Sequence, residues 1–228
     1  MTRREDATTT DRVAIITGGS RGLGREVTRA LARRGYAVTV NYARDQRAAD
    51  ATVDEVLATS GIALAIRADV ADELDVERLF AETSEAFGGV DVLVHAAGQL
   101  RFDPVADVDL RTFEAVRRTN VRGTFMVNRE ASRRIRRGGS IVNVSCAVGG
   151  PVVPASAACV PSKAAAVEVI TRALARDLVG RGITVNAVAT GRHGAVRGAA
   201  IADLVAFLVG RDARTLNGHV IRIGAEPT

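Results

Sequence analysis

Residues 12–24, Arg12-Val13-Ala14-Ile15-Ile16-Thr17-Gly18-Gly19-Ser20-Arg21-Gly22-Leu23-Gly24, carry the reading on which the fold turns. Val13 to Thr17 is an apolar, β-branched run of strand length. The segment GREVTRALARRG that follows has the 3.6-residue period of a helix and ends at Gly35. Between them, four of the seven residues from 18 to 24 are glycine. Without Cβ atoms such a turn can be tight, and it can bring backbone N–H groups against a phosphate at the start of the helix. Strand, glycine turn and helix in that order predict a dinucleotide site on Gly18, Ser20, Arg21, Gly22, Leu23 and Gly24. A glycine-rich surface loop is the plainer alternative, and the flanking strand and helix argue against it.

Outward from this unit, strand-like and helix-like segments alternate to the end of the chain. YAVTVN (36–41) precedes a polar-faced helix to about residue 60, and IALAIRADV (62–70) precedes a helix over 72–87. VDVLVHAAG (90–98) reads as strand then glycine turn, and a long helix is expected over about 107–136. SIVNVS (140–145) and ITVNAVA (183–189) flank a helix over about 156–180; a helix at 199–209 and a strand HVIRI (219–223) finish the chain. Near-continuous apolar strands suit a sheet covered on both faces. The alternation predicts an α/β fold: one Rossmann-type doubly wound parallel sheet with helices on both faces and right-handed crossovers. With no linker, repeat or low-complexity block, one domain is expected over 11–228, behind a polar tail at 1–10.

Composition narrows the function classes. Of 228 residues, 47% are hydrophobic but only 4% aromatic, and Trp is absent, so the core must be built from Ala, Val, Leu and Ile. No apolar run is long enough to span a bilayer, and MTRREDATTT lacks the apolar centre of a secretory signal; a cytoplasmic protein with no membrane partner is expected. Two cysteines and three scattered histidines (His95, His193, His219) support neither a disulfide framework nor a metal site. The net charge of +5 raises the question of nucleic acid. Its densest cluster, Arg133, Arg134, Arg136 and Arg137, has no interleaved aromatics, and it reads as a solvated helix end favourable to cations. No nucleic-acid partner is expected.

The spacing TGxxxGxG at 17–24 differs from GxGxxG and resembles the short-chain dehydrogenase/reductase family. The resemblance extends over almost the whole chain. Asp69-Val70 matches the pair that meets adenine after the third strand, and His95-Ala96-Ala97-Gly98 stands where the family has Asn-Asn-Ala-Gly. Thr119-Asn120-Val121 matches the helix Asn that orders a proton-relay water, and IVNVS and ITVNAVATG are also typical. Within the family the likeness is to ketoacyl reductases and polyketide ketoreductases. It implies a dinucleotide held by the glycine turn, Asn41, Arg44, Asp69, Val70, Ala96, Ala97, Gly98, Lys163, Gly191 and His193. It also implies a homodimer or homotetramer paired through the helices at 107–136 and 156–180. An acid ending the second strand would favour NAD by binding the ribose 2′-hydroxyl. Here Asn41-Tyr42-Ala43-Arg44 carries none, while Arg21 and Arg44 suit a 2′-phosphate, so NADP(H) is expected. Two ordinary surface arginines are the alternative.

The family reduces carbonyls with a Ser, a Tyr and a Lys, the Tyr giving the proton. At the YxxxK position this chain has Cys159-Val160-Pro161-Ser162-Lys163, and at the catalytic Ser position Cys146. Asn120 and Lys163 remain. The only tyrosines, Tyr36 and Tyr42, belong to the second strand, and Lys163 is the single lysine among 31 basic residues. A compact ammonium suits a ribose diol better than a guanidinium fork, so Lys163 reads as a cofactor ligand. Cys159 could serve as an acid beside Lys163, through a bridging water, or simply fill space. A Cys146–Cys159 disulfide is not expected, and Ser145 is a fallback hydroxyl on a strand whose neighbours point to opposite faces. His193, on the loop expected to pass the nicotinamide, is a candidate acid or an exposed loop residue. Residues 191–198 lead almost directly into the last helix, where the family has a lid of roughly twenty residues; an open site is expected. Three functions stay open: an NADPH-dependent reductase of a bulky or carrier-bound substrate, a non-redox cyclase, isomerase or dehydratase, and a non-catalytic NADP-binding partner of an active relative.

Overall fold

The computed structural model describes residues 12–99, 104–146, 160–190 and 198–223, without the side chains of 105, 146 and 160–162. Seven parallel strands make one sheet in the order β3-β2-β1-β4-β5-β6-β7. They are β1 Val13–Thr17, β2 Ala37–Tyr42, β3 Ile62–Arg67, β4 Val90–His95, β5 Ile135–Cys146, β6 Thr184–Thr190 and β7 Val220–Ile223. The helices are α1 Gly22–Ala32, α2 Gln46–Leu57, α3 Glu73–Phe87, α4 Leu110–Arg117, α5 Gly123–Arg134, α6 Val160–Asp177 and α7 Gly198–Leu208. Outside the stretch 107–140, each described element overlaps the segment that the alternation of patterns assigns to it.

Successive strand residues serve opposite faces, as the two-residue strand period requires. Ile16, Val94 and Val142 pack with Leu31 of α1 and Val205 of α7, whereas Ile15, Leu93 and Ile141 pack with Leu79 of α3 and Val127 of α5. Ile15 and Ile16 are both wholly buried, and each side chain contributes roughly 1.5–3 kcal/mol by leaving water. The chain winds away from β1 in one direction through β2 and β3 and in the other through β4 to β7. A crevice therefore opens between the ends of β1 and β4, the place where such sheets bind ligands.

The expected long helix over 107–136 is three pieces. A 3-10 turn at Val105–Asp107 precedes α4, and a π-helical turn, Arg118–Arg122, separates α4 from α5 with the Gly123 N–H bonding to the Arg118 carbonyl. The helix stops at Arg134, and Ile135 already pairs with Val90 as the first residue of β5. Tertiary burial decides this boundary, because Ile135 sits wholly in the core although its arginine-rich surroundings favour helix. The register shifts between Val90 and Val92, opposite Gly138 and Gly139, and a Cβ on Gly139 would lie 2.4 Å from the Asp91 carbonyl. The arginine cluster is accordingly divided: Arg133 and Arg134 end α5, and Arg136 and Arg137 follow Ile135 in β5.

Candidate active site

The glycine turn lies at the crevice because α1 packs directly upon it. Gly18 (φ +65°) and Gly22 (φ +52°) occupy left-handed conformations, and a Cβ on Gly24 would fall 2.1 Å from the Gly18 carbonyl oxygen. Three side chains from separate elements brace the turn. Thr28 of α1 donates to the Gly24 carbonyl (2.9 Å), Thr52 of α2 donates to the Ser20 carbonyl (3.2 Å), and Asn41 of β2 accepts from the Gly18 N–H (3.4 Å). Asn41 also donates to the Ala68 carbonyl (3.0 Å), so it ties β1, β2 and the end of β3 together. Arg21, the residue preceding α1, and Arg44, beyond β2, are both exposed.

A cleft of about 660 Å³ runs from this turn across the strand ends. Gly18, Ser20, Arg21, Gly22, Leu23 and Gly24 line it, as do Asn41, Arg44, Asp69, Val70, Ala96, Ala97, Gly98 and Lys163. One continuous surface thus brings together every described residue expected to contact the cofactor. Tyr42, Gln99, Ala115, Arg118, Thr119, Ser145 and Thr190 also line it. Of these, Gln99, Ala115 and Arg118 lie in none of the quoted motifs; they arrive through the turn after β4, α4 and the π-helical turn.

Asn120 is wholly buried beneath the cleft. Its side-chain amide grips the backbone of Gln99 at both ends, accepting from the N–H (2.8 Å) and donating to the carbonyl (2.9 Å). Lys163, 5% exposed, donates through Nζ to the Ala97 carbonyl (2.6 Å). A Cβ on Gly98 would lie 2.4 Å from that Nζ, so glycine there makes room for the ammonium. Ser145 is 3% exposed and borders the cleft close to Thr190, whose hydroxyl donates to the Ser145 carbonyl (3.4 Å). The Cys146 side chain, Cys159, Gly191 and His193 lie outside the described residues, as does the 191–197 segment on which the expectation of an open site rests. Tyr42 pairs with Arg67 on the β2–β3 side of the cleft, and Tyr36 receives a hydrogen bond from Arg12 (2.9 Å) at the opposite end of β2.

His95 ends β4 in full burial below this floor. Thr124 Oγ1 donates to the Asn120 carbonyl (2.6 Å) and therefore accepts from His95 Nε2–H (3.1 Å). Thr17 Oγ1 accepts from the Ala97 N–H (3.2 Å) and gives its own proton to His95 Nδ1 (2.8 Å). This chain of partners assigns the neutral Nε2–H tautomer. Burial, and secondarily the charge of Lys163, hold the imidazole well below its ordinary pKa. His95 is thus a fixed strut between the turn after β4 and the π-helical turn.

The arrangement fits a dinucleotide. Backbone N–H groups of a glycine-rich turn at a helix start suit a pyrophosphate, and a Cβ on Gly22 would meet only open space. Arg21 and Arg44 supply guanidinium groups along the same wall, and Lys163 supplies a buried ammonium at the other end. Among the described residues no group of three or more His, Cys, Asp or Glu could hold a metal, and no helix is long and apolar enough to cross a membrane.

Comparison with known proteins agrees with this geometry. The family model for short chain dehydrogenase matches residues 12–199. Versicolorin reductase 1 of Aspergillus parasiticus is 41% identical over 184 residues, 79% of this chain and 69% of its own. A short chain dehydrogenase from Burkholderia cenocepacia, solved in complex with NADP, superposes with a TM-score of 0.88 at 33% identity, covering 96% of this chain and 98% of that one. The angucycline C-6 ketoreductase LanV, solved with bound NADP, gives 0.86 at 30% identity and covers 95% of each chain.

Proposed function

This chain belongs to the short-chain dehydrogenase family and uses NADP(H), and from that premise we propose that it reduces a carbonyl or activated double bond of a bulky, polyketide-like substrate without a tyrosine acid. The observation that carries the reading is the unbroken cleft, which runs from the phosphate-binding turn to a buried Lys163 at the strand ends. A protein that had abandoned the cofactor would have no reason to bury its one ammonium there and keep Gly98 free of a Cβ. The likeness to versicolorin reductase 1 and to LanV supports an aromatic polyketide ketone as the substrate class.

When bound, NADPH supplies a hydride to the electrophilic carbon of the substrate. The chain's own residues supply position and charge. Lys163 would hold the nicotinamide ribose and Arg21 and Arg44 the 2′-phosphate, while the Asn120–Gln99 clamp fixes the backbone that follows Gly98 beside Lys163. Water, Cys159, His193, Ser145 or an acidic hydroxyl of the substrate itself provides the proton that reaches the substrate. A polyphenolic substrate with its own acidic hydroxyl tolerates the loss of Tyr, and the short connection that the sequence gives over 191–198 suits a large rigid ring system.

Incubation of the purified chain with NADPH and a panel of aromatic polyketide ketones tests this, with nicotinamide absorbance and product mass followed together. Matched loss of NADPH and appearance of a product two hydrogens heavier is the expected result. Substrate consumed with NADPH unchanged would replace the reductase with a cyclase, isomerase or dehydratase. NADPH bound with no conversion across the panel would favour a cofactor-binding partner of an active relative.

A further inference from the structure

At its Lys163 end the cleft meets three neighbouring strand ends: the turn after β4 at 96–98, Val144 and Ser145 of β5, and Thr190, the last residue of β6. The described cleft residues with side-chain hydroxyls are Ser20, Tyr42, Thr119, Ser145 and Thr190. Ser20 belongs to the glycine turn and Tyr42 to the β2–β3 side. Thr119 is already committed, since its Oγ1 accepts from Gln99 Nε2 (2.9 Å) and donates to the Ala115 carbonyl (3.3 Å). Ser145 and Thr190 remain, and they serve opposite faces of the sheet. The Cα partner of Thr190 is Cys146, so Ser145, one residue earlier in β5, alternates away from it. At this last rung β5 offers a cysteine and β6 a hydroxyl.

Thr190 Oγ1 donates to the Ser145 carbonyl at 3.4 Å, longer than the roughly 2.5–3.0 Å of a well-formed O–H···O bond. Rotation between staggered positions about Cα–Cβ gives up only that weak bond, so the hydroxyl is cheaply redirected into the cleft. Its surroundings are apolar. Val144 and Val188 are buried on the same face of the sheet, and Ile223 of β7 stands abreast of Thr190. In such a setting a hydrogen bond to a charged oxygen is stronger than in water. We propose that Thr190 is a catalytic residue whose hydroxyl donates to the reacting oxygen of the substrate and holds the charge that develops there. The inference rests on the reductase reading of the cleft and narrows it. The hydride goes to carbon, the π electron pair goes to oxygen, and Thr190 keeps its proton throughout; the proton that completes the alcohol is supplied separately. The substrate must therefore carry an oxygen on, or conjugated to, the carbon that is reduced, because an isolated double bond gives this donor nothing to hold.

The test measures equilibrium binding to the full chain saturated with NADP+, where no hydride is available and a ketone cannot react. The probes are an aromatic ketone that the wild type reduces with NADPH and its deoxy analogue, with a methylene in place of the carbonyl. The wild type should prefer the ketone by about tenfold, as one directed hydrogen bond gives. Thr190→Val keeps the β-branched shape and removes the hydroxyl; it should erase most of that preference while the deoxy analogue and NADPH bind as before. Thr190→Ser should restore the preference. With NADPH present, kcat of Thr190→Val should fall by about a hundredfold, as for loss of one donor to a developing oxyanion. Thr190→Ala is a second hydroxyl-free variant, and thermal unfolding checks that each variant is folded. An unaltered ketone preference in the hydroxyl-free variants would overturn the assignment. So would equal weakening of the deoxy analogue, which marks a packing defect, or loss of the preference in Ser145→Ala with Thr190→Val unaffected. A wild type that reduces no ketone removes the reductase reading and this inference with it, whereas normal wild-type reduction with an unaffected Thr190→Val removes this inference alone.

Discussion

Lys163 is one ammonium among 31 basic side chains, and it occupies a buried place where the other thirty, all arginine, would not fit. Its Nζ lies against the Ala97 carbonyl and within reach of any Cβ added at Gly98. Lys163→Ala should therefore weaken NADPH by about ten- to a hundredfold, as loss of charge-assisted bonds to the ribose predicts; a fluorescence titration measures it, and unchanged affinity would count against the assignment. His95 carries a different prediction. Its folded-state pKa is depressed by burial, while in the unfolded chain it is near 6.5. Between those two values the unfolded state binds more protons, so its contribution to stability is intact above pH about 6.5 and falls away as the pH drops below it. Urea midpoints should decline from neutral to mildly acidic pH in the wild type, and His95→Asn should flatten that part of the slope. A slope identical in both proteins would show that other groups govern it. The motif spacing made Lys163 legible in the sequence, but the hydrogen-bond chain Thr17–His95–Thr124 was not, since its members are 78 and 29 residues apart and meet only across the sheet.

Among the elements, the β1–turn–α1 unit behaves as one rigid piece. Gly24 lies against the Gly18 carbonyl, and Thr28, Asn41 and Thr52 fasten the turn from three sides. Gly24→Ala would push α1 off the turn, so cofactor affinity should fall at least tenfold with the fold retained. Circular dichroism and NADPH binding on the same sample check this. The strand–glycine–helix order announced this unit because local physics builds it: periodicity, β-branching and absent Cβ atoms act over short stretches of chain. The stretch 107–136 was harder to read. Its arginine-rich pattern is good helix in isolation, yet the burial of Ile135 and its pairing with Val90 end the helix at Arg134. The π-helical turn that aims Arg118 and Thr119 at the cleft while sinking Asn120 beneath it likewise has no local signature. Packing of Gly123 against Val70 accompanies it, and a Cβ on that glycine would come 2.9 Å from the valine side chain.

For the whole molecule, the expected pairing of subunits through α4, α5 and α6 has a concrete handle. Phe125 of α5 is 52% exposed and Val169 of α6 is 69% exposed, apolar side chains standing out on two of those helices. Phe125→Glu should shift the chain towards monomer in analytical ultracentrifugation; a monomeric wild type, or an unshifted variant, would rule out this face. The sequence by itself determined the α/β alternation, the parallel sheet, the glycine turn and the retained lysine. Hydrophobic period and backbone permissiveness are properties of neighbouring residues. Only the tertiary structure decided which residues share the cleft, because its walls come from the ends of strands distant in sequence. It set Gln99 under the grip of Asn120, brought Ser145 to the edge of the cleft, and placed Arg118 beside Asp69, 49 residues away along the chain. Those neighbours follow from the sheet order and from an extra residue in a helical turn, which are settled by how the core packs.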